Sequence, residues 1–113
     1  MSLLSQAARD LIDALTGWGV PASADPETVS APGALIAPDT LTTTMGGALT
    51  VTWDVYLITP DNGAALTSLG DLLDTVAAHT TVGTVDAATL ALANHSADPL
   101  PALHFTLTTE TAP

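Results

Sequence analysis

Residues 48–59 read Ala-Leu-Thr-Val-Thr-Trp-Asp-Val-Tyr-Leu-Ile-Thr, and this stretch decides the fold class. Leu49, Val51, Trp53, Val55 and Leu57 alternate with Thr50, Thr52, Asp54 and Tyr56. Successive side chains of a strand point to opposite faces, so a strand here has one apolar and one mostly polar face. Only the apolar face needs a cover. Immediately downstream, Pro60-Asp61-Asn62-Gly63 is a turn sequence in which Asp61 or Asn62 is placed to cap the next helix. Residues 64–79 then carry Ala65, Leu66, Leu69, Leu72, Leu73, Val76 and Ala77 at helical spacing, with Asp71, Asp74 and Thr75 on the other side. A second cover lies at the start of the chain. Leu4, Ala7, Ala8, Leu11, Ile12 and Leu15 form an apolar stripe over residues 3–15, with Gln6, Arg9, Asp10 and Asp13 mostly off it. Ser2 or Ser5 is placed as its N-cap, and Gly17 or Gly19 as its stop, ahead of Pro21.

The remaining segments are less regular. Residues 21–33 hold three prolines and read as a loop. Residues 34–37 are a short apolar run closed by Pro38, expected as a brief strand. Residues 38–47 read as a polar loop ending in Gly46-Gly47, mobile in an isolated subunit and ordered only against a neighbour. Residues 86–95 are ambiguous: their alanines favour helix, while their short span between Gly83 and Asp98-Pro99 favours a strand. Residues 102–110 alternate, with Leu103, Phe105 and Leu107 inward and His104, Thr106 and Thr108 outward. The order helix, short strand, long strand, helix, strand, strand implies one α+β domain over residues 1–113. Its expected form is two-layer: an antiparallel or mixed sheet of about four strands with two helices on one face. Trp53 and Phe105 are expected beneath Leu11, Leu15, Leu69 and Leu73.

Composition narrows the function classes. Arg9 is the only cation against twelve acidic residues, for a formal net charge of −11 over 113 residues. Binding to nucleic-acid phosphates needs Lys and Arg that this chain does not have, and anionic membrane surfaces are disfavoured for the same reason. Hydrophobic residues make up 47% and charged ones only 12%, so the chain is a folded domain and not an acidic disordered tail. With no cysteine, disulfide frameworks and Cys-based metal sites or nucleophiles are excluded. The opening residues lack the basic start and unbroken apolar run of a signal peptide, and no stretch approaches the about 18 apolar residues of a membrane span.

Candidate chemistry is sparse. His79 falls at a helix end, where an imidazole interacts favourably with the last carbonyls. His95 stands near Ser96 and Asp98, but neither Ser96 nor Ser68 lies in a GxSxG elbow. His104 alternates onto the polar face of a strand and reads as a surface or interface residue. Asp71 and Asp74 share a helix face, the usual pattern of a solvated surface. No HxH, HExxH or EF-hand spacing occurs, and Gly46-Gly47 precede a strand and not a helix, so no metal, phosphate or cofactor site is expected. Trp18 reads as a core residue flanking the helix cap. Asp54 sits mid-strand on the face away from the core, open to water in a monomer and coverable in an assembly. Tyr56 and Ile58 are bulky residues on that same outward face and hint at a partner. With Thr42, Thr43, Thr44 and Met45 of the 38–47 segment, they are the candidate subunit-interface residues.

The order of elements and several phrases resemble the tail terminator proteins of long-tailed bacteriophages, especially of the actinobacteriophage type. The phrases are Ser2–Leu15 followed by Gly19-Val20-Pro21, the short apolar run Ala34–Ala37, the strand Val51–Ile58, the helix from Ala65 to His79, and the closing Leu100–Glu110. Together they run through about 100 residues, and they are pattern likenesses, not catalytic fingerprints. The resemblance implies a small α+β, non-enzymatic virion protein, assembled in the host cytoplasm. It would form a homohexameric ring at the head-proximal end of the tail. That ring caps the tail tube, stops its elongation and meets a head–tail connector protein. It needs no cofactor and no membrane, and DNA passes through its lumen without specific binding. An acidic conduit fits that role, since it repels phosphate. Two alternatives stay open: another head–tail connector or tail completion protein, and a small ligand-binding or enzymatic α+β domain.

Overall fold

The computed structural model describes residues 2–25, 27–29, 31–60, 63–90 and 100–112. The alternating stretch at 48–59 is a strand over most of its length, and every other element is placed by it. In chain order the elements are α1 (Leu3–Gly17), β1 (Ala22–Ser23), β2 (Gly33–Thr43), β3 (Leu49–Ile58), α2 (Ala65–Ala77), β4 (Asp86–Leu90) and β5 (Leu100–Thr111). The strands form one sheet in the order β1-β2-β3-β5-β4. β3 is central and antiparallel to both β2 and β5. β4 is antiparallel to β5, and β1 runs parallel to β2 over two residues, Ala22 against Ala34 and Ser23 against Leu35. The fold is α+β, with two helices packed on a five-stranded mixed sheet; the strand beyond the expected four is the short β1, inside the proline-rich segment read as a loop.

The main core follows the alternation of β3. Val51, Trp53, Val55 and Leu57 are fully buried, and with Ala34, Ile36, Phe105 and Leu107 they meet Ala7, Leu11 and Leu15 of α1 and Leu69 and Val76 of α2. Both helices therefore cover the same face. Leu73 is half-buried against this cluster, so the expected cover over Trp53 and Phe105 is present. The Trp53 indole Nε1–H donates to Thr109 Oγ1 at 2.9 Å, satisfying the one polar atom of the largest core side chain. The Ser2 hydroxyl accepts from the Ser5 backbone N–H and caps α1. Gly19, two residues past the helix end, has φ 99°, the left-handed conformation that only glycine takes without strain. The α2 stripe is narrower than its spacing implies: Leu66 is 85% exposed and Ala77 is also exposed. The N-cap of α2 is Ala64; Asp61 and Asn62, expected to supply it, lie outside the described residues.

One segment differs from the sequence reading, and an ambiguous one is resolved. Residues 38–43 are not a loop. Pro38 introduces only a register shift between Pro38 and Thr40, after which Thr40, Leu41, Thr42 and Thr43 pair with Thr52, Val51, Thr50 and Leu49. Threonine is β-branched and suits a strand, and a proline is tolerated where a strand is at an edge or bulged. The expected loop shrinks to the reversal at Thr44–Ala48, closed by Thr44 N–H to Ala48 O at 2.9 Å and Gly47 N–H to Thr44 O at 3.0 Å. The ambiguous stretch resolves as strand for Asp86–Leu90; residues 91–95 lie outside the described residues.

The outer face of the sheet is not uniformly polar. Val29, Leu35, Ile58, Leu100 and Ala102 form a second buried cluster there, joined by Ala31, Tyr56, Ala88 and Leu90. Ile58 is completely buried in it, which corrects its reading as an outward-facing interface residue. The segment carrying Val29 and Ala31 folds over that end of the strand and supplies the cover.

Candidate assembly surface

The sheet is built differently at its two ends. β4 pairs with β5 only from Leu100 to His104, and β1 reaches β2 only at Ala34 and Leu35. Past those points the sheet is three strands wide among the described residues. Leu41, Val51 and Thr109 make one row across it, and Thr42, Thr50 and Glu110 the next. Among the described residues, no strand pairs with the outer edge of β2 from Ala37 to Thr43 or of β5 from Phe105 to Thr111. Every residue from Pro38 to Gly47 is exposed.

Four of the expected interface residues lie at this open end. Thr42 and Thr43 are on the β2 edge, and Thr44 and Met45 form the reversal, where the Met45 side chain is completely exposed. Tyr56 is apart from them, at the covered end, half-buried against the second cluster. Leu41 was not among the candidates, because the reading of residues 38–47 as a loop gave it no facing. It is 47% exposed, and its pairing with Val51 puts it on the helix-bearing face.

Beside the open edge of β5 the surface is concave. A groove of about 450 Å³ lies between α1 and this edge, lined on its apolar side by Ala7, Leu11, Ala14 and Trp18, with Asp10 and Glu110 also on its wall. Two of the α1 residues here, Ala7 and Ala14, are small. The Trp18 ring stacks on His79, with centroids 5.0 Å apart and planes 10° from parallel. His79 Nδ1–H donates to the Thr75 carbonyl at 2.9 Å. As expected, this histidine serves the end of α2, and through Trp18 it ties that end to α1.

Four polar side chains of the outer face, Asp54, Tyr56, Asp86 and His104, gather at one place. Tyr56, His104 and Asp86 lie in one row across β3, β5 and β4. His104 Nε2 lies 2.7 Å from Asp54 Oδ1, and its Nδ1 lies 3.9 Å from Asp86 Oδ2. The Tyr56 ring packs on the imidazole at 4.9 Å. An aspartate holding a histidine is half of a hydrolytic triad, but the second nitrogen faces another carboxylate and not a hydroxyl nucleophile. The Asp54–His104 contact works as a strut between β3 and β5, with the exposed Asp86 of β4 beside it. Asp71 and Asp74 are exposed on α2, and Asp54 is half-buried in the strut. Among the described residues no three His, Asp or Glu side chains are grouped to hold a metal ion. His95, Ser96 and Asp98 lie outside the described residues. Comparison with known proteins returns no match: no family model, no curated protein and no solved structure matches the chain.

Proposed function

We propose that this chain is a structural, ring-forming protein of a long-tailed phage virion, a tail terminator that caps the tail tube, ends its elongation and offers the surface for head joining. The observation that carries the reading is the open end of the sheet. A ten-residue exposed projection, Pro38–Gly47, bears two large apolar side chains, Leu41 and Met45, and no charge beyond Asp39. Such a projection on a 113-residue acidic chain has a use when it meets another protein surface. The sequence resemblance supplies the kind of assembly, a homohexamer contacting tail tube and connector proteins. Solution mass with negative-stain images tests it: six-membered rings that bind the ends of tail tubes are expected, and a monomer at every concentration refutes it.

The charge gives the reading a second test. Each copy brings a net charge of −11, so like charges oppose closure and apolar and main-chain contacts must drive it. Screening lengths fall from about 30 Å at 0.01 M salt to about 8 Å at 0.15 M. The ring is therefore expected to tighten as salt rises, and sedimentation across a salt series measures this. Dissociation on adding salt contradicts it. Within such a ring, Asp and Glu facing the lumen keep it negative towards passing DNA.

A further inference from the structure

The two open edges match each other. β2 and β5 both run antiparallel to β3, so they point the same way. Their free stretches lie level, since Leu41 and Thr109 flank the same residue, Val51. Open edges present unpaired N–H and C=O groups that template another strand, and natural proteins blunt them with lysines, prolines or bulges. This chain has no lysine, and its proline and register shift at Pro38–Thr40 fall in the first part of the free stretch, leaving Leu41–Thr43 without such a device. The same edge of β2 already takes a parallel neighbour, β1, a few residues upstream.

The side chains fit as well as the backbones. If β2 of a second copy lies alongside β5, pointing the same way and with its helices on the same side, its Leu41 falls on the groove side. There Ala7, Leu11, Ala14 and Trp18 form an apolar wall that faces the groove together with Leu107 of β5. Asp10 and Glu110 at the groove disfavour an acidic occupant, and Thr40–Ala48 carries no charge. We infer that copies of this chain join head to tail by parallel pairing of the β2 edge of one, Thr40–Thr43, with the β5 edge of the next, Phe105–Thr111, Leu41 filling the groove between α1 and β5. The contact uses two different edges, so it repeats around a closed ring or along a helix. This deepens the ring proposal and rests on it for closure.

The absence of cysteine makes the test direct. Within one copy β3 separates β2, which carries Leu41, from the β5 edge beside which Ala14 lines the groove, so the double variant Leu41→Cys/Ala14→Cys is expected to form its disulfides between copies. Mild oxidation is expected to give a ladder of covalent oligomers on a non-reducing gel, with rings in negative stain. Leu41→Asp is expected to raise the dissociation constant of the assembly about ten- to a hundredfold, the loss of one buried leucine, while leaving the melting temperature of the dilute monomer unchanged. Rings without a ladder overturn the edge pairing and leave the ring proposal standing. A ladder from assemblies that are not rings supports the pairing and refutes the ring. Monomers alone, at every concentration and in both variants, overturn both.

Discussion

The covered and open ends of this sheet share strands but are held by different means. At the covered end five strands lie side by side, and the outer face is sealed by Val29, Leu35, Ile58, Leu100 and Ala102. Core therefore lies on both faces, and the Asp54–His104 strut sits at its margin. At the open end three strands remain. Their outer face is a lattice of threonines, Thr42, Thr50, Thr52 and Thr108 among them, with Thr52 and Thr108 hydroxyls 3.5 Å apart, and no other described strand pairs with their edges. β3 buries Leu49 and Val51 even here, because α1 and the flanking strands still shelter its helix-facing side. The difference teaches that this fold has ample core for its size at one end, and at the other leaves backbone hydrogen-bonding groups to solvent or to a partner.

Substitutions at the two ends should diverge in proportion. The largest effect is expected at the boundary, where Phe105 is 1% exposed in the main core. Phe105→Ala should cost about 3–5 kcal/mol, read by denaturant unfolding. A loss too small to measure would mean that β5 is one residue out of register, with Phe105 on the other face. Next, Ile58→Ala at the covered end should cost about 2–5 kcal/mol, because the cluster on the outer face closes over it; a near-neutral result would show that face to be open along its whole length and erase the contrast. Smallest is the same kind of truncation at the open end. Leu41→Ala should change monomer stability by no more than about 0.5 kcal/mol, measured at a dilution where assemblies are absent, and a cost like that of Ile58→Ala would show that the open end is sealed within one copy.

Where the sequence was legible, one period sufficed. The alternation through Leu49–Leu57 and Leu103–Leu107 and the α1 stripe at Ala7, Leu11 and Leu15 each name a buried face directly, and both helices lie where those faces require. Misreadings arose where period says nothing about neighbours. Leu66 has the spacing of the α2 stripe, but spacing fixes a direction about the helix axis and not what lies opposite it. Thr40–Thr43 looks polar and loop-like by composition, yet pairing with β3 makes it a strand. Ile58 alternates outward with Tyr56, and only the assembled cluster with Val29, Leu35, Leu100 and Ala102 buries it. Of the interface candidates, Thr42–Met45 occupy the exposed projection. Leu41 was hidden, because its facing exists only once the register with Val51 is set.

By itself, then, the sequence determined the two helices, the long and closing strands, the main core and the acidity of the molecule, since these depend on side-chain period and composition along short stretches. The tertiary structure alone decided which strands are neighbours, that β1 and β4 stop short, that the free edges of β2 and β5 lie level, and that an apolar groove opens beside one of them. Those are relations between residues far apart in the chain. They depend on pairing register and on how far each element reaches, and no local pattern encodes either.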